Sequence, residues 1–105
     1  MKSYYAVIFT STLSEQSNDY DEMAIKMEQL AKQQPGFLGM ETARSVVGIT
    51  ISYWKDLDAI KKWRGHLNHL KAQKLGKEKW YRSYKVRVCR VEREYSFDKN
   101  SRNIH

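Results

Sequence analysis

The side chains with most to offer chemically lie in the second half of the chain. His66 and His69 are three residues apart, so a helix would present both on one face. An imidazole there can act as a general base near neutral pH or ligate haem iron. A metal site built on the pair lacks an obvious third ligand. Both rings would serve equally well as ordinary surface or core residues. Trp63 lies one turn before His66. It can form an aromatic wall against a flat molecule, or simply pack at helical spacing. Tyr84 and Arg87 would bring a phenol and a cation to the last strand, where an arginine can stabilise a developing phenolate or peroxide anion. A cross-strand or surface pair is the plainer reading of these two. Thr50 and Ser52 offer hydroxyls to a pocket wall. Cys89 is the sole cysteine and reads as a small hydrophobe within a strand. One cysteine excludes an internal disulfide and a thiolate-built metal centre. The sequence holds no Gly-rich phosphate loop, paired catalytic carboxylates or nucleophile elbow.

The elements that must position these residues are legible from periodicity. Tyr4 to Thr12 is rich in aromatic and β-branched residues and predicts a strand with both faces covered. Ser14 to Asp19 predicts a polar loop with capping residues. Tyr20, Met23, Ala24, Met27, Leu30 and Ala31 recur at helical spacing, with charged residues between them, and Pro35-Gly36 stops the helix. Phe37 to Ser45 and Val47 to Trp54 predict two strands. In the second, Val47, Ile49, Ile51 and Tyr53 share one face, while Thr50, Ser52 and Trp54 share the other. The connection near Ser45 to Gly48 predicts a hairpin, or a bulge at Gly48. Asp56 or Asp58 then caps a second helix with an apolar stripe of Ile60, Trp63, Leu67 and Leu70. Gly65 would divide that helix into two pieces, and Gly76 marks its end. Trp80 to Tyr95 predicts a long final strand whose phase breaks near Val88. Phe97 would still pack, which makes 1–97 the domain and 98–105 a disordered polar tail.

Length and charge bound the rest. The 105 residues fit one domain, and a chain of this size gains from pairing with a second copy. Hydrophobic residues at 41% and charged residues at 30% exclude disorder throughout. No apolar run is long enough to cross a bilayer, and the first residues lack a signal peptide's apolar core, so a cytoplasmic location is the default expectation. The net charge of +7 is uneven. Residues 1–54 carry four Lys/Arg against six Asp/Glu, whereas residues 55–93 carry thirteen against four. That half could attract nucleic acid, but no nucleic-acid motif accompanies it, and a solvated basic face is the plainer reading.

The order strand, helix, strand, strand, helix, strand is the ferredoxin-like βαββαβ arrangement: an α+β domain with an antiparallel sheet and both helices on one face. Several strands are apolar on both faces, so the other side of the sheet also needs cover. A second copy related by two-fold symmetry is the simplest cover.

Specific strings carry a family resemblance. Gln34-Pro35-Gly36-Phe37-Leu38-Gly39, then Gly48-Ile49-Thr50-Ile51-Ser52-Tyr53-Trp54, then Trp63 with His66, His69, Ala72 and Gln73, then Trp80-Tyr81 and the basic strand to Val91-Glu92-Arg93 occur in an order similar to that of the antibiotic biosynthesis monooxygenase family. The resemblance runs over roughly residues 3 to 95. It implies a dimeric α+β barrel with a pocket between sheet and helices in each protomer. Some members oxidise polyaromatic phenols with O2 and no metal or flavin, because the deprotonated substrate supplies the electrons. Others bind and degrade haem, using an Asn on the first strand and a His about ten residues after the Trp. Val7, Ile8 and Phe9 and then Gln73 stand at those places here, so neither haem residue transfers. The resemblance therefore implies a cofactor-independent monooxygenase for a small aromatic or quinone-like molecule. Trp63 and His66 would be catalytic, Tyr84, Arg87, Thr50 and Ser52 would bind substrate, and O2 would be the co-substrate. The alternatives are a haem- or small-ligand-binding dimer without oxygenase activity, and a basic nucleic-acid-binding dimer.

Overall fold

The computed structural model describes residues 3–69 and 79–100. Its elements are β1 (Tyr4–Leu13), α1 (Tyr20–Lys32), β2 (Phe37–Arg44), β3 (Gly48–Trp54), α2 (Leu57–His69) and β4 (Tyr81–Val91). The strands form one antiparallel sheet in the order β2-β3-β1-β4. The fold is α+β and ferredoxin-like, as the periodicities predict. Leu70, Gln73 and Gly76 lie outside the described residues, as does the side chain of His69.

Both helices lie on one side of the sheet, α1 against β2 and α2 against β3. Each starts differently. Asp56 accepts a hydrogen bond from the Ala59 backbone N–H at 2.8 Å, which makes Asp56 the cap of α2. Asp19 precedes α1 but makes no side-chain cap. Its carboxylate is engaged instead by the Trp80 indole N–H at 2.9 Å and by Lys79 Nζ at 3.2 Å. These bonds tie the loop before α1 to the approach to β4, and the Ser14 backbone N–H donating to Trp80 O at 2.7 Å adds a third tie. After α1, Gly36 turns the chain at φ +86, a conformation few other residues adopt. A Cβ there would also come within 2.7 Å of Ala59 Cβ, so a glycine is required for β2 to start against α2.

Register fixes which side chains share a side, because residues directly opposite in a sheet point the same way. Trp54, Tyr5 and Arg90 form one row on the helix side; Met40, Ser52, Val7 and Val88 form the next. Thr42, Thr50, Phe9 and Val86 follow, then Arg44, Gly48, Ser11 and Tyr84. The outer side holds Tyr4, Ala6, Ile8 and Thr10 with Ile49, Ile51, Tyr53, Arg87, Cys89 and Val91. The split of β3 into Ile49, Ile51 and Tyr53 on one side and Thr50, Ser52 and Trp54 on the other is as the alternation predicts.

Trp54 anchors the helix side. Its ring is fully buried, with Phe37 edge-on at 5.4 Å and Trp63 stacked at 6.0 Å. Truncating a core aromatic of this kind costs about 3–5 kcal/mol. Apart from Trp54, the buried apolar residues among those described are Ala6, Ala31, Ala59 and Trp80, a small core for a chain of this length.

Several expectations are corrected. The hairpin between β2 and β3 has no bulge at Gly48, which pairs in register with Arg44 and Ser11. α2 is not divided at Gly65, whose missing Cβ would point into open space. β4 stops at Val91 rather than Tyr95, because its neighbour β1 begins at Tyr4, the residue opposite Val91. The strand's irregularity falls between Ser83 and Tyr81, opposite Thr12 and Leu13, not near Val88. Phe97 does not pack; it is 86% exposed, and Tyr95 is 85% exposed.

Candidate functional site

Among the described residues, the helix-side rows run from beneath α1 and α2 at β2 and β3 out to β4, a strip of sheet that is trough-like in outline. Trp63 projects from α2 onto Trp54, and His66, one turn later, stacks on Trp63 with ring centroids 5.8 Å apart and planes 24° from parallel. The three rings make a continuous stack from the sheet outward along α2. His66 Nε2 is buried and, among the described residues, has no hydrogen-bond partner. A buried ring nitrogen without a partner is costly, on the order of 1–3 kcal/mol, and such groups in folded proteins call for an explanation. A ligand's hydroxyl would supply the missing bond.

Next to the stack, Ser52 is buried and accepts the Trp54 indole N–H at 2.8 Å. Thr50 shares a hydrogen bond of 2.9 Å with Thr42. Across β1 from these hydroxyls, Val86 and Val88 are each 49% exposed although they face the helix side. Among the described residues the helices lie mainly over β2 and β3, and these two half-exposed valines form the apolar bank of the trough on the β4 side.

The far end of the trough is aromatic. A bulge in β4 skips one residue between Ser83 and Tyr81, which turns Tyr81 to the helix side beside Tyr84. Phe9 then stacks on Tyr84 at 5.3 Å and meets Tyr81 edge-on at 5.3 Å, and Tyr20 of α1 meets Tyr81 at 5.6 Å. Burial, with the hydroxyl of Tyr20, pushes the Tyr81 phenol above the usual tyrosine range, while the charge of Arg44 works the other way. Tyr81 is thus a persistent hydroxyl donor. Arg44 lies over the Tyr20 ring at 5.1 Å and donates to Ser11 Oγ.

Five of the six expected site residues fall on this one side: Trp63 and His66 at one end, Thr50 and Ser52 on the floor, Tyr84 at the other end. Arg87 does not join them. It pairs opposite Ile8 and so occupies the outer side with Cys89. Arg44, Tyr20 and Tyr81, none of them among the residues expected at the site from the sequence, also lie on this side. Tyr20 carried a signal as the first residue of the helical stripe, whereas the bulge that turns Tyr81 inward left none.

Residues 3–75 match the family described as antibiotic biosynthesis monooxygenase. The chain belongs to that family. It is 49% identical over 100 residues to the uncharacterised protein YqjZ of Bacillus subtilis, which covers 93% of this chain and 88% of that relative. A variant of SnoaB, a cofactor-independent oxygenase from Streptomyces nogalater, superposes with a TM-score of 0.74 at 13% identity, over 87% of this chain and 95% of that one. A conserved protein from Methanosarcina mazei superposes with a TM-score of 0.70 at 9% identity, over 81% of this chain and 89% of that one. At those identities the likeness is one of fold. The Asn of the haem-handling members has no counterpart here: Val7 and Phe9 put apolar side chains on the helix side of β1. Among the described residues no three His, Cys, Asp or Glu side chains form a metal-holding group, and no helix is long and apolar enough to cross a membrane.

Proposed function

We propose that the trough binds a flat aromatic molecule and that the chain oxidises it with O2, without a metal or organic cofactor. The observation that carries the reading is the Trp54–Trp63–His66 stack, with a buried and unpartnered imidazole nitrogen at the edge of an apolar trough. Trp63 would hold the ring system by stacking. His66 Nε2 would accept the proton of a ring hydroxyl, which makes the substrate an electron-rich anion. Its carbanionic carbon then attacks O2. In the overall reaction a ring CH2 becomes a carbonyl and the second oxygen atom leaves as water. The four electrons lost by carbon are those that reduce O2, so no external reductant is consumed. Thr50, Ser52 and Tyr84 would supply polar contacts along the floor.

The outer side fits a second copy of the chain. Its centre is a shallow groove lined by Ala6, Ile8, Ile51, Tyr53, Cys89 and Val91. Glu41 stands at the β2 edge and Arg87 at the β4 edge of one outer row. A two-fold axis parallel to the strands would make that charge pattern self-complementary.

The test of activity is oxygen uptake by the purified protein with hydroxylated anthrones and naphthols, followed by analysis of the quinone product. One O2 consumed per carbonyl formed, abolished in Trp63→Ala, supports the reading. No uptake with any member of the panel removes the oxygenase.

A further inference from the structure

We infer that Arg44, with Ser11, Tyr20 and Tyr81, forms an anion-reading subsite for a carboxylate or phenolate oxygen carried by the aromatic ligand. The inference deepens the proposed function by assigning the charge of the substrate, and it rests on the same trough. Arg44 ends β2 and pairs with Gly48, and its guanidinium crosses the row toward Ser11 on β1. Gly48 is what allows this, because a Cβ at that position would overlap the guanidinium. The sheet thus carries a cation over its own helix-side surface, at the end of the trough opposite His66.

The partners of that cation are neutral. It donates to Ser11 O at 3.5 Å, to Ser11 Oγ, and to Tyr20 OH at 3.5 Å, and it lies over the Tyr20 ring. Two of these contacts are at the long limit of a hydrogen bond, and a guanidinium has five N–H donors. Some other cations are matched by carboxylates, Arg90 by Glu92 at 3.6 Å, Lys79 by Asp19 at 3.2 Å and Lys62 by Asp58 at 3.2 Å; what sets Arg44 apart is that its guanidinium is held in place by neutral groups. Among the described residues no carboxylate pairs with Arg44. Arg44 remains exposed while Ser11, which holds its guanidinium, is 2% exposed, so the charged tip is fixed in place yet reachable from solvent.

The surroundings suit an oxyanion. Tyr81 is a neutral neighbour that brings no competing charge, and the Phe9–Tyr84 stack gives the attached ring a flat partner. Six residues of strand separate Gly48 from Trp54, about 20 Å at the usual rise, so a multi-ring ligand can touch both ends. Arg87, the arginine expected on sequence grounds, lies on the other side of the sheet and cannot serve this site. The excess of Lys and Arg after residue 54 would draw an anionic ligand toward the protein.

The test compares the affinities of the full chain for 2-naphthoate and its neutral counterpart 2-naphthamide by calorimetry. A charge-assisted contact predicts that the wild type favours naphthoate by about tenfold. Arg44→Gln should bring the two to within about twofold by weakening naphthoate only, while Arg44→Lys should keep part of the preference. Arg93→Gln, which removes an exposed charge elsewhere, should change nothing. A preference that survives in Arg44→Gln, a wild type with no preference, or equal weakening of both ligands would overturn the subsite; the last would make Arg44 a structural brace. If Arg44→Gln does not fold, the wild type still answers through 2-naphthol. The naphtholate absorption band should appear at lower pH when the ligand is bound, and an unshifted titration overturns the phenolate case. Charge preference without O2 uptake leaves the subsite standing and removes the oxygenase, and uptake without preference does the reverse.

Discussion

The helix side of the sheet carries Ser11, Thr50 and Ser52 among its aromatic rings, whereas the outer side carries Ile8, Ile49, Ile51 and Val91. An ordinary two-layer domain would have the opposite pattern, with its driest residues under the helices and its polar ones facing water. The hydroxyls are satisfied by one another, by the Trp54 indole and by Arg44, whereas the imidazole nitrogen of His66, unpartnered among the described residues, costs stability and is reasonable where a ligand completes it. Isoleucines facing outward cost solubility and are reasonable where another protein surface covers them. The two sides of one sheet therefore point to two roles, a site on one and an interface on the other.

Exchanging the chemistry of either side should break that division. The largest effect is expected at His66. Replacing it with Leu removes the proposed base and should lower turnover by on the order of a hundredfold or more. The same change removes a buried unsatisfied nitrogen, so the melting temperature should hold or rise. Parallel loss of activity and stability would mean that His66 is a packing residue. Ile51→Glu, at the centre of the outer side, should weaken self-association on the order of a hundredfold in sedimentation experiments, while Thr50→Val, one residue along but facing the helices, should leave assembly unchanged. An unaltered assembly in Ile51→Glu would place the interface elsewhere.

Smaller effects sharpen the same contrast. Ser52→Ala leaves the indole N–H of Trp54 without its acceptor in a buried setting and should cost about 1–2 kcal/mol in denaturant unfolding. Asp19→Asn probes the tie between the loop before α1 and the approach to β4. Hydrogen bonding from Lys79 holds the Asp19 carboxyl below the usual carboxylate range. A carboxyl lowered in the fold stabilises above its unfolded pKa and loses that contribution as pH falls through its folded value. The advantage of wild type over Asp19→Asn in thermal melts should accordingly be full at neutral pH and shrink below about pH 4. A constant difference across that range would show that Asp19 acts only through its shape.

The sequence made some of this legible and not the rest, for identifiable reasons. β3 alternates strictly, so the opposed roles of Thr50, Ser52 and Trp54 against Ile49, Ile51 and Tyr53 follow from period two. The Trp63–His66 pairing follows from helical spacing. Tyr84 and Arg87 are three residues apart, and a regular strand must put such residues on opposite sides. Only a bulge between them could unite them, and the bulge falls before Ser83 instead, where it brings Tyr81 inward. The reach of Arg44 depends on Gly48, its partner at the mouth of the hairpin, having no side chain and on Ser11, 33 residues earlier in the chain. No local pattern encodes a contact of that kind. The end of β4 depended on where β1 begins, again a property of the pairing and not of either segment.

The central claim is that ligand chemistry belongs to the helix side. Backbone and side-chain NMR titration of the labelled protein with 2-naphthol tests it most directly. The account predicts saturable shifts at Trp63, His66, Val86 and Val88, with Ile8, Ile51 and Cys89 unmoved. Shifts confined to Ile8, Ile51, Cys89 and Val91, with the Trp63 indole unmoved, would place the ligand on the outer side and contradict it.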